Sequence, residues 1–376
     1  MKDAVTFAEG RNQPCRNGAI DFLRFVGINC IVFLHFQQFT EADYFPIDFF
    51  GGGYDFATFV ELFFAISGFC SLHYIDQLCC NQQYIQMLLK RFIRILAPAV
   101  PCAFFYSITM IIYRIVEGNW FYDESFSIIN LLASLCGIQF AWFIPPGQVQ
   151  GVIYGINPPT WYIDSLLLCF VIMTFLVWLS NKTHISPAFC FFFVALMGAY
   201  TYKLGLNFPF LNWAACRGYY AFFTGILLAM FDRMLSSYKY DRILRYITIC
   251  LLMIIGIGLY ECGSSKVFIL TFLIFPALIL LCTTDIIKKT FNHRVWKFLG
   301  NVSYEVYLWH FSFILYFIIL RNRDVIDFCF ATSSYLCLVL FAVFVWIISI
   351  LAYIVVEQKL IKRVSINDKF RVHIQQ

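Results

Sequence analysis

The chain has 376 residues, 61% of them hydrophobic, 20% aromatic and 13% charged, with a mean hydropathy of +0.75 and a formal net charge of +5. Soluble domains run at about half apolar and a quarter charged, so this balance excludes a soluble enzyme and points to a polytopic membrane protein. The modest positive charge lies in loops, where it reports topology, and no nucleic-acid partner is implied.

In chain order, residues 1–18 are polar and charged (Lys2, Asp3, Glu9, Arg11, Arg16) and do not read as a cleaved signal peptide. Apolar runs long enough to cross a bilayer follow at about 19–38, 56–74, 93–113, 160–179, 187–204, 213–231, 243–260, 266–283, 302–320 and 330–356. An eleventh run, 128–144, is shorter, carries Gln139 and ends in Pro145-Pro146. Lys and Arg gather in the N-terminal tail and in three loops: 75–94 (Lys90, Arg91, Arg94), 232–245 (Arg233, Lys239, Arg242, Arg245) and 284–298 (Lys288, Lys289, Arg294, Lys297). They gather again in the C-terminal tail (Lys359, Lys362, Arg363). The loop 39–55 instead holds Glu41, Asp43, Asp48 and Asp55 with no Lys or Arg, and 114–127 is mostly acidic. The positive-inside rule therefore places both termini and the three basic loops in the cytoplasm. An odd number of crossings must separate 114–127 from 232–245, yet four apolar runs intervene. The weakest, 128–144, is expected to be re-entrant or interfacial, followed by an outer Gly/Pro-rich loop, 145–159. The expected fold is all-α with ten transmembrane helices and both termini cytoplasmic.

The first span carries Arg24 and His35, eleven positions and about three turns apart, so both project from nearly the same face, ~16 Å apart along the axis. Ionisable groups inside a span are costly, and two on one stripe point to a lined cavity. Each also has a plainer role: Arg24 as a snorkelling anchor near a helix end, His35 as a packing residue between helices. Most of the fifteen cysteines lie in apolar runs (Cys30, Cys169, Cys190, Cys250, Cys282, Cys337), where they act as small hydrophobes. No Cys/His spacing fits a zinc or iron–sulfur site, and no metal is expected.

Several motifs then follow in order. Ile20-Asp21-Phe22-Leu23-Arg24, with ten residues between Arg24 and His35, resembles the opening motif of the acyltransferase family 3 membrane proteins. Glu61-Leu62-Phe63-Phe64 leading to Ser67-Gly68-Phe69 is similar to that family's second-span signature, and Arg91-Phe92-Ile93-Arg94 to its paired arginines. Thr160-Trp161-Tyr162-Ile163, Gly300-Asn301-Val302-Ser303-Tyr304 with Tyr307-Leu308-Trp309-His310, and the closing Glu357 resemble its later motifs. The likeness runs from 19 to 363, between tails 1–18 and 364–376. It departs from the family pattern at Phe25-Val26 and at Asp164.

The resemblance implies an O-acyltransferase of the inner (cytoplasmic) membrane, most commonly an O-acetyltransferase. Such an enzyme takes its acyl group from cytoplasmic acetyl-CoA, a co-substrate and not a resident cofactor. The acceptor is a hydroxyl of a cell-surface polysaccharide or lipid-linked sugar. That chemistry needs a base for the hydroxyl proton, donors for an oxyanion and sites for the CoA phosphates. His35, with an unperturbed pKa of about 6.5, is the candidate base or transient acyl carrier. Arg24, Arg91 and Arg94 are the candidate acyl-CoA contacts, the latter two doubling as positive-inside anchors. Glu61 is expected to pair with His35 and fix its tautomer. Trp161, Tyr162, Tyr304, His310 and Arg217 are candidate acceptor contacts. Ser67-Gly68 reads as a small-residue helix contact, with Ser67 as nucleophile the alternative. His73 reads as interfacial and Glu357 as structural. A transporter or flippase, in which Arg24, His35 and Glu61 form a substrate path, is the rival from a different class. A non-catalytic membrane scaffold is a third reading.

Overall fold

In hydrocarbon every backbone N–H and C=O must be satisfied within the chain, so long apolar runs become helices. The computed structural model describes residues 16–39, 56–121, 128–143, 157–263, 265–323 and 334–357. Most of the expected acidic loop 39–55, most of 145–159, and the tails 1–15 and 358–376 lie outside these, as does the side chain of Glu357. The described elements are α1 Gly18–Phe39, α2 Phe59–Phe69, α3 Leu72–Asn81, α4 Tyr84–Glu117, α5 Ile128–Cys136, α6 Trp161–Thr183 and α7 Pro187–Leu204. They continue with α8 Trp213–Leu235, α9 Asp241–Glu261, α10 Lys266–Ile269, α11 Phe275–Thr283, α12 Asp285–Phe291, α13 Arg294–Asn322 and α14 Ser334–Ala352. With α2 and α3 joined as one span, and α10 and α11 joined through a π turn at Leu270–Ile274, ten helices among the described residues are long and apolar enough to cross a membrane.

The short run behaves as its length dictates. Helix α5 has nine residues, about 14 Å against a hydrocarbon core of roughly 30 Å. Gly137, at φ +66°, ends it, and the irregular backbone that follows is satisfied by two buried side chains. Asp164 of α6 accepts from the Phe140 N–H at 2.8 Å. The Asn212 amide donates to the carbonyls of Phe140, Ala141 and Phe143 at 2.9, 3.2 and 3.1 Å. Asn212 also caps α8, accepting from the Ala215 N–H at 3.0 Å. Irregular backbone in a membrane protein requires such partners, which explains the carboxylate at 164.

The basic stretch 75–94 is not a loop. Apart from Gln82 and Gln83, where α3 ends in a left-handed residue, it is helical, and α4 runs for 34 residues. Gln, Met, Leu, Lys and Arg are all good helix formers and nothing between 84 and 94 breaks the helix. Pro98 and Pro101 lie further along α4. Near them the Tyr304 hydroxyl donates to the Ile95 carbonyl at 2.7 Å, tying α13 to α4.

The start of α1, the start of α13 and the end of the last span meet at one end of the bundle. Arg16 donates to Asn301 at 2.5 Å, and the Phe298 and Tyr353 rings lie 5.9 Å apart. This is the Arg24 end; the other is the His35 end. Helices α8 and α13 are the most enclosed, while α7 and α9 show mostly outward faces. Helices α2 and α8 touch backbone to backbone: a Cβ on Gly68 would sit 1.9 Å from the Phe222 carbonyl oxygen, and one on Gly225 would sit 2.0 Å from that of Ala65. The small-residue reading of Ser67-Gly68 thus holds at Gly68. Gly68→Val is expected to destabilise the protein by about 1–3 kcal/mol or more, read as a lowered thermal midpoint in detergent. Gly258→Ala, with no atom within 4 Å of its added Cβ, is expected to leave that midpoint in place.

Candidate active site

His35 of α1 and His310 of α13 face each other as nearly parallel rings, centroids 5.0 Å apart and 4° from coplanar orientation. His35 Nδ1 and His310 Nε2 are 2.7 Å apart, and His310 Nδ1 lies 3.1 Å from the Val306 carbonyl. A carbonyl only accepts, so in the neutral pair His310 carries its proton on Nδ1 and its Nε2 is an acceptor. The proton between the rings then belongs to His35 Nδ1, and the remaining lone pair falls on His35 Nε2. His310 is fully buried, and Phe311 packs edge-on against His35 at 5.8 Å. The network thus assigns one tautomer to each ring, with His35 Nε2 as the ring nitrogen left without a proton.

Two tyrosines continue the site from His310. The Tyr307 ring is 5.8 Å from that of His310 and 5.2 Å from that of Tyr162. Tyr307 donates to the Pro159 carbonyl at 2.5 Å, and the hydroxyls of Tyr162 and Ser67 are 3.3 Å apart. Tyr307 was not among the candidates, although it lies one helical turn before His310 and so shares its face.

Glu61 does not pair with His35. Its carboxylate takes two bonds from Arg217 of α8, at 2.5 Å to Nε and 2.7 Å to Nη2, and one from the Tyr220 hydroxyl at 2.8 Å. Arg217 also donates to the Ala57 carbonyl at 3.0 Å and stacks its guanidinium 4.6 Å from the Trp161 ring centroid. The reason is geometric: Glu61 lies on the first turn of α2, whose close contact is with α8. A fork-to-fork Arg–carboxylate pair is the strongest partner on offer there. Trp161 stacks in turn against Trp213 at 5.0 Å. This cluster and the histidine pair both belong to the His35 end.

At the opposite end, Asp21 is buried and shared by two guanidiniums. Arg16 approaches it at 2.6 and 2.9 Å, and Arg24 at 3.1 Å. Among the described residues this cluster sets one carboxylate against two cations, a net positive charge. Arg24 also reaches the Cys70 sulfur at 3.6 Å. Arg91 folds inward between the Tyr74 and Phe170 rings, 5.0 and 4.7 Å from their centroids, whereas Arg94 is exposed. The two therefore share a helix end but not an environment. Tyr304 donates to the Ile95 carbonyl of α4. Asp21 was also missed, though it precedes Arg24 by three residues, the spacing of a helical ion pair.

Between the two ends runs a file of polar side chains. Arg24 contacts Cys70, Ser67 lies one turn back along α2, and Tyr162, Tyr307, His310 and His35 follow in contact. The Tyr162 hydroxyl is within electrostatic range of Arg24. A basic lone pair at one end and unbalanced cations at the other suit a reaction in which an anionic donor enters beside Arg24 and a proton is taken at His35.

A family model described as an acyltransferase domain, that of acyltransferase family 3, matches residues 17–353. The chain belongs to this family. No curated protein and no solved structure matches it significantly. Family membership makes the chain a membrane acyltransferase and favours group transfer over transport for the polar file.

Breaking the Glu61–Arg217 pair strands a buried charge. Glu61→Ala or Arg217→Ala is expected to cost ~3–5 kcal/mol, measured by thermal unfolding in detergent. The double variant is expected to cost clearly less than the sum of the two, because they remove one shared interaction.

Proposed function

We propose that this acyltransferase moves an acetyl group from cytoplasmic acetyl-CoA to a hydroxyl of a cell-surface polysaccharide or lipid-linked sugar, in the inner (cytoplasmic) membrane. The observation that carries this reading is the His35–His310 pair, which fixes a basic lone pair on His35 Nε2 inside an acyltransferase bundle. The loop charges set the Arg24 end in the cytoplasm. There Arg24, Arg91 and Arg94 meet the CoA phosphates, since Arg is the side chain matched to phosphate. The slender pantetheine arm threads along Ser67 and Tyr162 and presents the thioester near His35.

In the reaction, His35 Nε2 takes the proton from the acceptor hydroxyl as its oxygen attacks the thioester carbonyl. The new C–O bond forms, the C–S bond breaks, and the departing thiolate recovers the proton from the imidazolium. His310, bonded to Nδ1 of His35, orients the ring and shares its transient charge. Glu61 acts through Arg217, holding the guanidinium against Trp161. Trp161, Tyr162 and Arg217 form the acceptor side, where aromatic faces suit sugar rings. Tyr304 serves the fold.

Thiol release from radiolabelled acetyl-CoA, measured with protein in membranes and a surface-glycan fraction, tests this. His35→Ala is expected to lower acceptor-dependent release by at least ~100-fold while the protein stays folded. His310→Gln, which still offers an acceptor to His35 Nδ1–H, is expected to lose only about tenfold, and His310→Leu ~100-fold. Equal losses in the two His310 variants would remove the tautomer argument, and release that survives His35→Ala would remove His35 from the reaction.

A further inference from the structure

We infer that the segment 137–143 after α5 belongs to the acceptor site, where Gln139 and Trp142 hydrogen-bond the hydroxyls of a neutral sugar. The inference rests on the acetyl-transfer reading above and adds which residues select the acceptor. A buried polar atom without a partner costs free energy, and native proteins keep few of them. Among the described residues, the amide nitrogen and oxygen of Gln139, the indole N–H of Trp142, and the Oδ1 atoms of Asn157 and Asn207 are shielded from solvent yet meet no hydrogen-bond partner. Asn157 is itself fully buried.

These groups gather at the His35 end. The 137–143 backbone is held by Asp164, one turn along α6 from Trp161, and by Asn212, which directly precedes Trp213. The turn 205–212 lies on it, the Phe210 N–H donating to the Trp142 carbonyl at 3.2 Å. Asn157 donates through Nδ2 to the Leu308 carbonyl at 3.0 Å, two residues before His310. The orphaned atoms therefore belong to segments fastened to the Trp161–Trp213 pair and to the helix of His310. The neighbouring charges are already engaged, Asp164 by the Phe140 N–H and Arg217 by Glu61, and the unpartnered set is neutral. A primary amide donates and accepts, an indole N–H donates and an asparagine Oδ1 accepts; a hydroxyl is the group that answers all three. A sugar presents several hydroxyls on one rigid ring, with an apolar face for tryptophan. The Phe210 ring, 6.2 Å from that of Trp142, is exposed, as is Trp213, so the way in runs past surface side chains.

The test passes the full-length protein in nanodiscs over an immobilised surface-glycan fraction and over the same fraction peracetylated, which caps its hydroxyls, with empty nanodiscs as reference. The protein is expected to bind the native fraction at least about tenfold more tightly than the capped one. Trp142→Phe keeps an aromatic ring and removes the N–H, and Gln139→Leu keeps the size and removes the amide. Each is expected to weaken binding and raise the KM for the glycan about tenfold, with the KM for acetyl-CoA unchanged. Gln139→Leu is also expected to raise the thermal midpoint of the protein without glycan, because it removes two buried orphan groups, whereas losing a structural contact would lower it. Unchanged binding and KM in both variants would overturn the subsite and leave these atoms to ordered water. Equal binding to the native and capped fractions, or binding to neither, would overturn it as well. Hydroxyl-dependent binding that both variants weaken, without any thiol release from acetyl-CoA, would keep the subsite and overturn the acetyl-transfer reading. Thiol release with the same glycan KM in wild type and variants would do the reverse.

Discussion

A membrane interior offers no water to a stranded dipole or charge, and that constraint arranges most of what is distinctive in this bundle. In the candidate site the buried polar side chains meet polar partners, most of them on another helix and, at Asp21, at the start of its own. Asp164 and Asn212 exist for the irregular backbone after α5. Glu61 answers Arg217, Asp21 answers Arg16 and Arg24, and His310 answers His35. The polar groups bring specific helices together, and the apolar ones fill the space between. Where backbones touch directly, as at Gly68 and Gly225, the absence of a side chain does the same work.

The arrangement divides the chemistry between two ends of one file. Net positive charge gathers beside Arg24, while the basic lone pair sits at His35, ~16 Å further along the same helix. Neither end has both. A donor that is anionic at one terminus and reactive at the other, joined by a thin arm, is the shape of molecule such a file accommodates. The histidine pair needs no carboxylate to orient it, because the Val306 carbonyl supplies the fixed acceptor from which both tautomers follow.

Span number, the non-crossing character of 128–144 and the first-span stripe were legible in the sequence because each is a matter of length, period and charge count. The partners of the polar residues were not. Glu61 and His35 look equally available to one another along the chain, and only the α2–α8 crossing reveals that Arg217 is nearer. In the stretch 75–94 the basic charge suggests a loop, whereas the helix propensity of its Gln, Leu, Lys and Arg residues favours the helices that form. Tyr307 and Asp21 were visible at helical spacing from His310 and Arg24, but a tyrosine in an aromatic-rich chain and an aspartate near a helix start carry little signal alone.

The contacts of α1 with α13 have a mechanical consequence. Arg16 meets Asn301 at one end of the pair and His35 meets His310 at the other, so the two helices are pinned at two well-separated points. Turning α1 by a single residue would swing both side chains about 100° out of register. The helix that carries Arg24 and His35 is therefore a fixed strut. On the opposite wall α2 meets α6 through rings as well as hydroxyls: Phe64 lies 4.5 Å from the Tyr162 ring, beside the 3.3 Å contact between the Ser67 and Tyr162 hydroxyls. A substitution that loosens either pin would therefore be felt at both ends of α1, not only where it is made.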